Sequence, residues 1–111
     1  IQREVDMLKA AGEHGNLVKC FGTVNDDDGP CILYELCMPE NLWHLLRNRG
    51  AIIKEETRFF ISKIADGLTH LHGRGLIHCD LKPENVLQAP GMKVRIGDLG
   101  LAERYDPNSQ R

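Results

Sequence analysis

Eight consecutive residues, His78-Cys79-Asp80-Leu81-Lys82-Pro83-Glu84-Asn85, put a carboxylate, an amine and an amide within one short stretch. A carboxylate accepts a proton from an attacking hydroxyl, an ammonium group neutralises phosphate charge, and an amide oxygen suits a hard cation such as magnesium. Thirteen residues after Asn85, Asp98-Leu99-Gly100 adds a second acidic side chain, and Gly100 permits a sharp turn behind it. Two oxygen ligands on neighbouring loops, completed by substrate phosphates and water, are what magnesium prefers over a closed protein cage. Taken alone, the first stretch reads as a solvated polar loop and the second as an ordinary acidic turn; their combination carries the chemistry.

These loops need a frame. Val5, Leu8, Ala10 and Ala11 fall at helical spacing among Arg3, Glu4, Asp6 and Lys9, which predicts an amphipathic helix over residues 1 to 11, stopped by Gly12 to Asn16. Leu17 to Val24 and Cys31 to Leu36 read as two strands of a hairpin around the turn cluster Asp26-Asp27-Asp28-Gly29-Pro30. Leu42, Leu45 and Leu46 predict a short helix ending at Gly50. A longer one follows from about Lys54 to His72, with Phe60, Ile64, Leu68 and Leu71 on one stripe. Leu76-Ile77, Val86-Leu87 and Val94 to Ile96 are short strand-like pieces framing the two loops. The order of elements predicts an α+β chain.

Composition narrows the class. Of the 111 residues, 41% are hydrophobic and 27% charged, ordinary for one globular domain or part of one. Fourteen Lys and Arg against sixteen Asp and Glu leave a net charge of −2, which argues against electrostatic capture of nucleic acid or anionic lipid. No charge-free stretch approaches the roughly 18 residues of a membrane-spanning helix. Cys20, Cys31, Cys37 and Cys79 form no Cys-x-x-Cys pair, so a reduced, intracellular and cytoplasmic setting is the expectation. His70, His72, His78 and Cys79 match no paired zinc-ligand spacing. The chain opens on Ile1 and closes on the polar run Asp106 to Arg111, so both ends read as cut.

His78 to Asn85 resembles the protein-kinase catalytic loop, His-Arg-Asp-Leu-x-x-x-Asn, and Asp98-Leu99-Gly100 resembles the family's Asp-Phe-Gly element at a fitting distance. The Lys82-Pro83-Glu84 filling is similar to the serine/threonine class. The resemblance implies a partial protein-kinase-like fold: residues 1–34 from the small lobe, 35–39 as hinge, and 40–111 as the first part of the helical large lobe. It implies ATP and magnesium as cofactors and a protein substrate bearing serine or threonine. By the same resemblance, Asp80 would orient and deprotonate the substrate hydroxyl, Lys82 would contact the transferring phosphoryl group, and Asn85 and Asp98 would hold magnesium. Glu4 resembles the helix glutamate that pairs with an ATP-anchoring lysine upstream, a lysine this chain does not contain. Tyr34-Glu35-Leu36-Cys37 resembles the hinge, with Tyr34 as gatekeeper and the backbone of Glu35 and Cys37 set to hydrogen-bond adenine.

His78 is expected to hold backbone rather than act as a base, and Leu99 to keep the apolar packing of the phenylalanine it replaces. The alternative to a kinase is a pseudokinase-type scaffold; the intact Asp80, Asn85 and Asp98 argue against a degenerate site. By itself the chain is expected to be inactive, with the stripes of residues 1–11 and 54–72 left exposed and prone to aggregate. Cys79 stands where many kinases carry arginine, and a thiol cannot make the bidentate pair that arginine offers a phosphorylated loop. The intact protein should therefore be less dependent on that switch; a large loss of activity on dephosphorylating its activation segment would count against this.

Overall fold

The computed structural model describes residues 1–106 and 108. Most of the polar run expected from 106 to 111 thus lies outside the described residues. Helix α1 spans Gln2–Ala11, with Glu4 in its first turn and Lys9 in its last, each complementing the helix dipole. Its terminal carbonyls find partners at the C-terminal end of the long helix α3, Lys54–Gly73, and on the residue that follows it. Arg74 Nε donates to Ala10 O at 3.0 Å and His70 Nε2 to Ala11 O at 2.7 Å. These bonds satisfy groups that a helix end otherwise leaves unpaired.

Strands β1 (Cys20–Asp26) and β2 (Gly29–Tyr34) form the expected antiparallel hairpin, but with a tighter turn than the Asp-Gly-Pro cluster predicts. The Asp26 carboxylate accepts the Asp28 N–H at 2.8 Å, closing the reversal over Asp27 and Asp28 and leaving Gly29 and Pro30 in the second strand. The first strand also begins later than predicted. Leu17 instead forms a parallel bridge to Ile96, in β5 (Lys93–Ile96).

Helix α2, Leu42–Arg49, is capped by Asn41, whose side chain accepts the His44 N–H at 3.0 Å. Glu56 in the first turn of α3 reaches back to the Ile53 N–H at 3.2 Å and is clasped by Arg49 at 2.6 and 2.7 Å. The turn between the two helices is thereby pinned. Strand β4, Val86–Ala89, pairs antiparallel with β5, and β3, Leu76–Ile77, pairs with β6, Glu103–Arg104. The sequence pattern does not announce β6, because two charged exposed residues carry no strand periodicity.

Two apolar clusters hold these pieces. Met7, Ala11, Leu17, Leu71, Leu76, Ile96, Leu99 and Ala102 form the first; Phe60, Val86 and Val94 form the second, flanked by Leu42 and Leu45. The stripes on α1 and α3 therefore find partners within the chain, which corrects the expectation that they would be bare. Exposed apolar surface lies elsewhere: Phe21, Val24 and Leu33 on the hairpin are 68%, 45% and 44% accessible. Among the described residues, no helix is long and apolar enough to cross a membrane.

Helix α3 passes so close to the core strand that Gly67 has no room for a side chain. A Cβ there would lie 2.8 Å from Ile96 Cδ1 and 3.1 Å from Asn16 O. Alanine favours a helix over glycine by up to about 1 kcal/mol, whereas overpacking costs about 1–3 kcal/mol. The clash wins because one neighbour is backbone, so Gly67→Ala should destabilise the intact protein by about 1–2 kcal/mol in chemical denaturation.

Candidate active site

The loop from His78 to Asn85 is held from inside. His78 is buried, its Nε2 donating to Gly97 O at 2.8 Å while its Nδ1 accepts the Asp80 N–H at 3.1 Å. Those partners fix the tautomer and leave neither nitrogen to act as a base, in keeping with the structural role read from the sequence. Pro83–Asn85 folds as a short 3₁₀ turn, closed by the Asn85 N–H to Lys82 O at 2.9 Å. The turn carries Asn85 back under Asp80. Asn85 Nδ2 donates to Asp80 O at 2.8 Å and to Asp80 Oδ2 at 3.3 Å.

On the other carboxylate oxygen, Lys82 Nζ stands 3.6 Å from Asp80 Oδ1. Asp80 is thus oriented by an amide on one side and faced by an ammonium on the other, while its side chain keeps 22% of its surface accessible. Because both Asn85 amide hydrogens belong to Nδ2, its Oδ1 remains available to a cation.

A single backbone bond, Gly97 N–H to Asn85 O at 2.8 Å, couples this loop to the strand leading into Asp98. Asp98 takes the left-handed conformation, φ +58°, and its Oδ1 accepts the Gly100 N–H at 3.1 Å. A side chain at Gly100 would crowd that oxygen, with a Cβ 3.1 Å away. Leu99 is buried in the same cluster as Met7 of α1, so the apolar packing expected of it is present. Cys79 is exposed with φ +67°, a strained conformation for a residue with a side chain.

A cleft of about 500 Å³ opens beside this pair of loops. Glu4, Glu35, Cys37, Asn85 and Asp98 all line it, with Val18 and Leu87 as apolar walls. Asp80 and Lys82 do not line it; they stand one loop turn away, joined to it through Asn85. A larger hollow of about 730 Å³ lies between α1 and β1 but contains none of the carboxylate and amide groups singled out by the sequence, so the smaller cleft is the candidate site.

In the segment between β2 and α2, the Glu35 N–H donates to Lys19 O at 2.9 Å, and the Met38 N–H donates to Gln88 O at 2.8 Å. Among the described residues, the Glu35 carbonyl and the Cys37 N–H have no partner, so both remain available to a planar ligand. Burial, and then the Glu35 charge, push the Cys37 thiol up; Arg95 opposes them weakly. Tyr34 donates its hydroxyl to Glu4 Oε2.

Sequence reasoning missed Arg95. Its guanidinium is buried, with Nε 3.0 Å from Glu35 Oε1 and Nη1 donating to Gly15 O. Nε is close enough for charge pairing but off the line of a hydrogen bond. Glu35 Oε1 also accepts the Lys19 N–H at 2.9 Å. The available signal was a charged residue between two apolar ones, Val94 and Ile96, in a strand whose two faces are both covered.

The family model for the protein kinase domain matches residues 1–111. Among the curated relatives, the mouse "Inactive serine/threonine-protein kinase PLK5" is 35% identical over 107 residues, 96% of this chain and 18% of that protein. The mouse "Serine/threonine-protein kinase PLK2" is 30% identical over 111 residues, covering 100% of this chain and 16% of the relative. The Caenorhabditis elegans "Serine/threonine-protein kinase plk-1" is 37% identical over 109 residues, 98% and 17%. The chain thus spans roughly a sixth of the length of these relatives. With its α+β architecture, its loop of His78, Asp80 and Asn85, and its left-handed Asp98 beside a cleft lined by Glu35 and Cys37, the chain belongs to the protein kinase domain family.

Proposed function

We propose that the protein containing this chain is a serine/threonine kinase that transfers the γ-phosphoryl group of ATP to a protein hydroxyl, with Asp80 as the proton acceptor. The observation that carries this reading is the double hold of Asn85 Nδ2 on Asp80, which presents a part-exposed carboxylate in one fixed orientation. Positioning matters most in this chemistry, since the loose transition state asks little covalent work of the protein.

The residues present suit magnesium and ATP. Asn85 Oδ1 and the Asp98 carboxylate supply two hard oxygen donors on adjoining loops, few enough to leave room for phosphate and water. Magnesium, when bound, would neutralise charge on the phosphates as the group is transferred. The Glu35 carbonyl and Cys37 N–H are the adenine contacts, and Lys82 offers its ammonium to the transferring group beside Asp80. In this reading residues 1–34 belong to the small lobe, 35–39 to the hinge and 40–111 to the large lobe, because the cleft opens where the backbone between Tyr34 and Leu42 leaves strand and helix. An intracellular, cytoplasmic setting is part of the proposal, supported by four free thiols.

A scaffold without catalysis is the second reading, favoured by one relative whose printed name calls it inactive. Asp80, Asn85 and Asp98 weigh against it here. Positioned proton transfer contributes about 10²- to 10⁴-fold, so Asp80→Asn in the full-length protein should lower kcat at least a hundredfold with little change in the KM for ATP. Near wild-type turnover would sink the assignment.

Cys37 offers a test of the hinge. Its raised pKa means a smaller thiolate fraction than an ordinary thiol at neutral pH, so its alkylation should be slow there and should speed up on going to more alkaline pH. MgATP should protect Cys37 and leave the catalytic-loop Cys79 comparatively reactive, as read by mass spectrometry of the labelled peptides.

A further inference from the structure

Ile1 precedes helix α1 without a side-chain cap and is 54% exposed, and the buried residues of α1, Met7 and Ala11, lie beyond its first turn. Among the described residues, two side-chain bonds tie the first turn of α1 to the rest of the fold: Arg3 Nη2 donates to Ala102 O at 2.5 Å, and the Tyr34 hydroxyl donates to Glu4 Oε2. The second joins the last residue of β2, at the mouth of the hinge, to the one carboxylate that α1 contributes to the cleft.

The bond has a direction. A carboxylate accepts only, so the phenol must donate, and it remains a donor because burial first, and then the Glu4 carboxylate, push its pKa far above the ordinary tyrosine value. Occupying Oε2 leaves Oε1 turned toward the Asp98 turn, where a Cβ on Gly100 would sit 3.5 Å from it. One oxygen of Glu4 is therefore tied to the hinge strand while the other faces the cleft.

We propose that Tyr34 is a positioning residue for the nucleotide site: its hydroxyl holds Glu4 by one oxygen so that the other is kept at the cleft beside the Asp98 turn. The role is specific to the hydroxyl. A phenylalanine would fill the same space without restraining Glu4, and α1 would then be held at its first turn chiefly by Arg3. The nucleotide part of this proposal rests on the kinase reading above; the tie between Tyr34 and Glu4 does not.

The test uses Tyr34→Phe, Glu4→Ala and the double variant in the full-length protein. Amide exchange across residues 2–8 reports the tie without needing activity. Loss of one net hydrogen bond should speed exchange about three- to tenfold in Tyr34→Phe, and the double variant should be no faster than the faster single one. Wild-type exchange in Tyr34→Phe, or accelerations that multiply in the double variant, would overturn the tie. In the same variants the KM for MgATP should rise about three- to tenfold for Tyr34→Phe while kcat stays within about twofold. An unchanged KM alongside faster exchange would overturn the positioning role. Faster exchange in a protein that transfers no phosphoryl group even as wild type would support the tie and overturn the kinase reading alone.

Discussion

Everything in this chain hangs on a short length of parallel backbone pairing at Ile96. The Ile96 N–H donates to Asn16 O at 2.8 Å and the Val18 N–H to Ile96 O at 3.0 Å, so the segment after α1 is laid directly against the strand leading to Asp98. Asn16 adds its side chain to Val94 O at 3.0 Å. Beside this pairing sits the buried Arg95 with Glu35 and Gly15. Removing one partner from a buried ion pair costs about 3–5 kcal/mol because the other charge is left stranded. The junction therefore tolerates little sliding. It is also why Gly67 must be glycine, since α3 crosses within van der Waals distance of the same two residues.

From that junction the site is assembled in relay. Gly97, the next residue, accepts from His78 and donates to Asn85; Asn85 orients Asp80; Asp98 follows in a turn where a side chain at Gly100 would crowd its carboxylate. The steps through Gly97 and Asn85 are hydrogen bonds from buried or part-buried groups, where an unmade bond is costly. Asp98 is consequently exposed and Asp80 part-exposed, while His78 and Gly97, which aim them, are buried, and the buried Asn85 both orients Asp80 and carries a free oxygen. Leu99 closes the relay by packing with Met7, so the position of α1 and the position of Asp98 share one apolar cluster.

The disagreements between pattern and fold have a common origin. The helices α1, α2 and α3 emerge near their predicted limits because periodicity, Asn41, Gly12 and Gly50 act within a few residues. The hairpin is displaced because Asp26 captures Asp28 locally while Leu17 is drawn away to Ile96. Strand β6 exists only because β3 lies opposite it. The stripes on α1 and α3 looked unpartnered because their partners, among them Leu17, Ile96 and Val94, come from segments too short to advertise a core face.

By itself the sequence determined which chemical groups are present, their order along the chain, and the helices around them, since residue type, turn chemistry and 3.6-residue periodicity are local properties. It made Asp80, Asn85 and Asp98 legible as one constellation. Only the tertiary structure decided that Glu4 meets Tyr34, that Glu35 answers Arg95, and that Asp80 and Lys82 stand beside the cleft rather than in its lining. Those outcomes depend on which distant segments bury one another's polar groups, a choice made by packing and hydrogen-bond satisfaction across the whole chain rather than by any residue's neighbours in sequence.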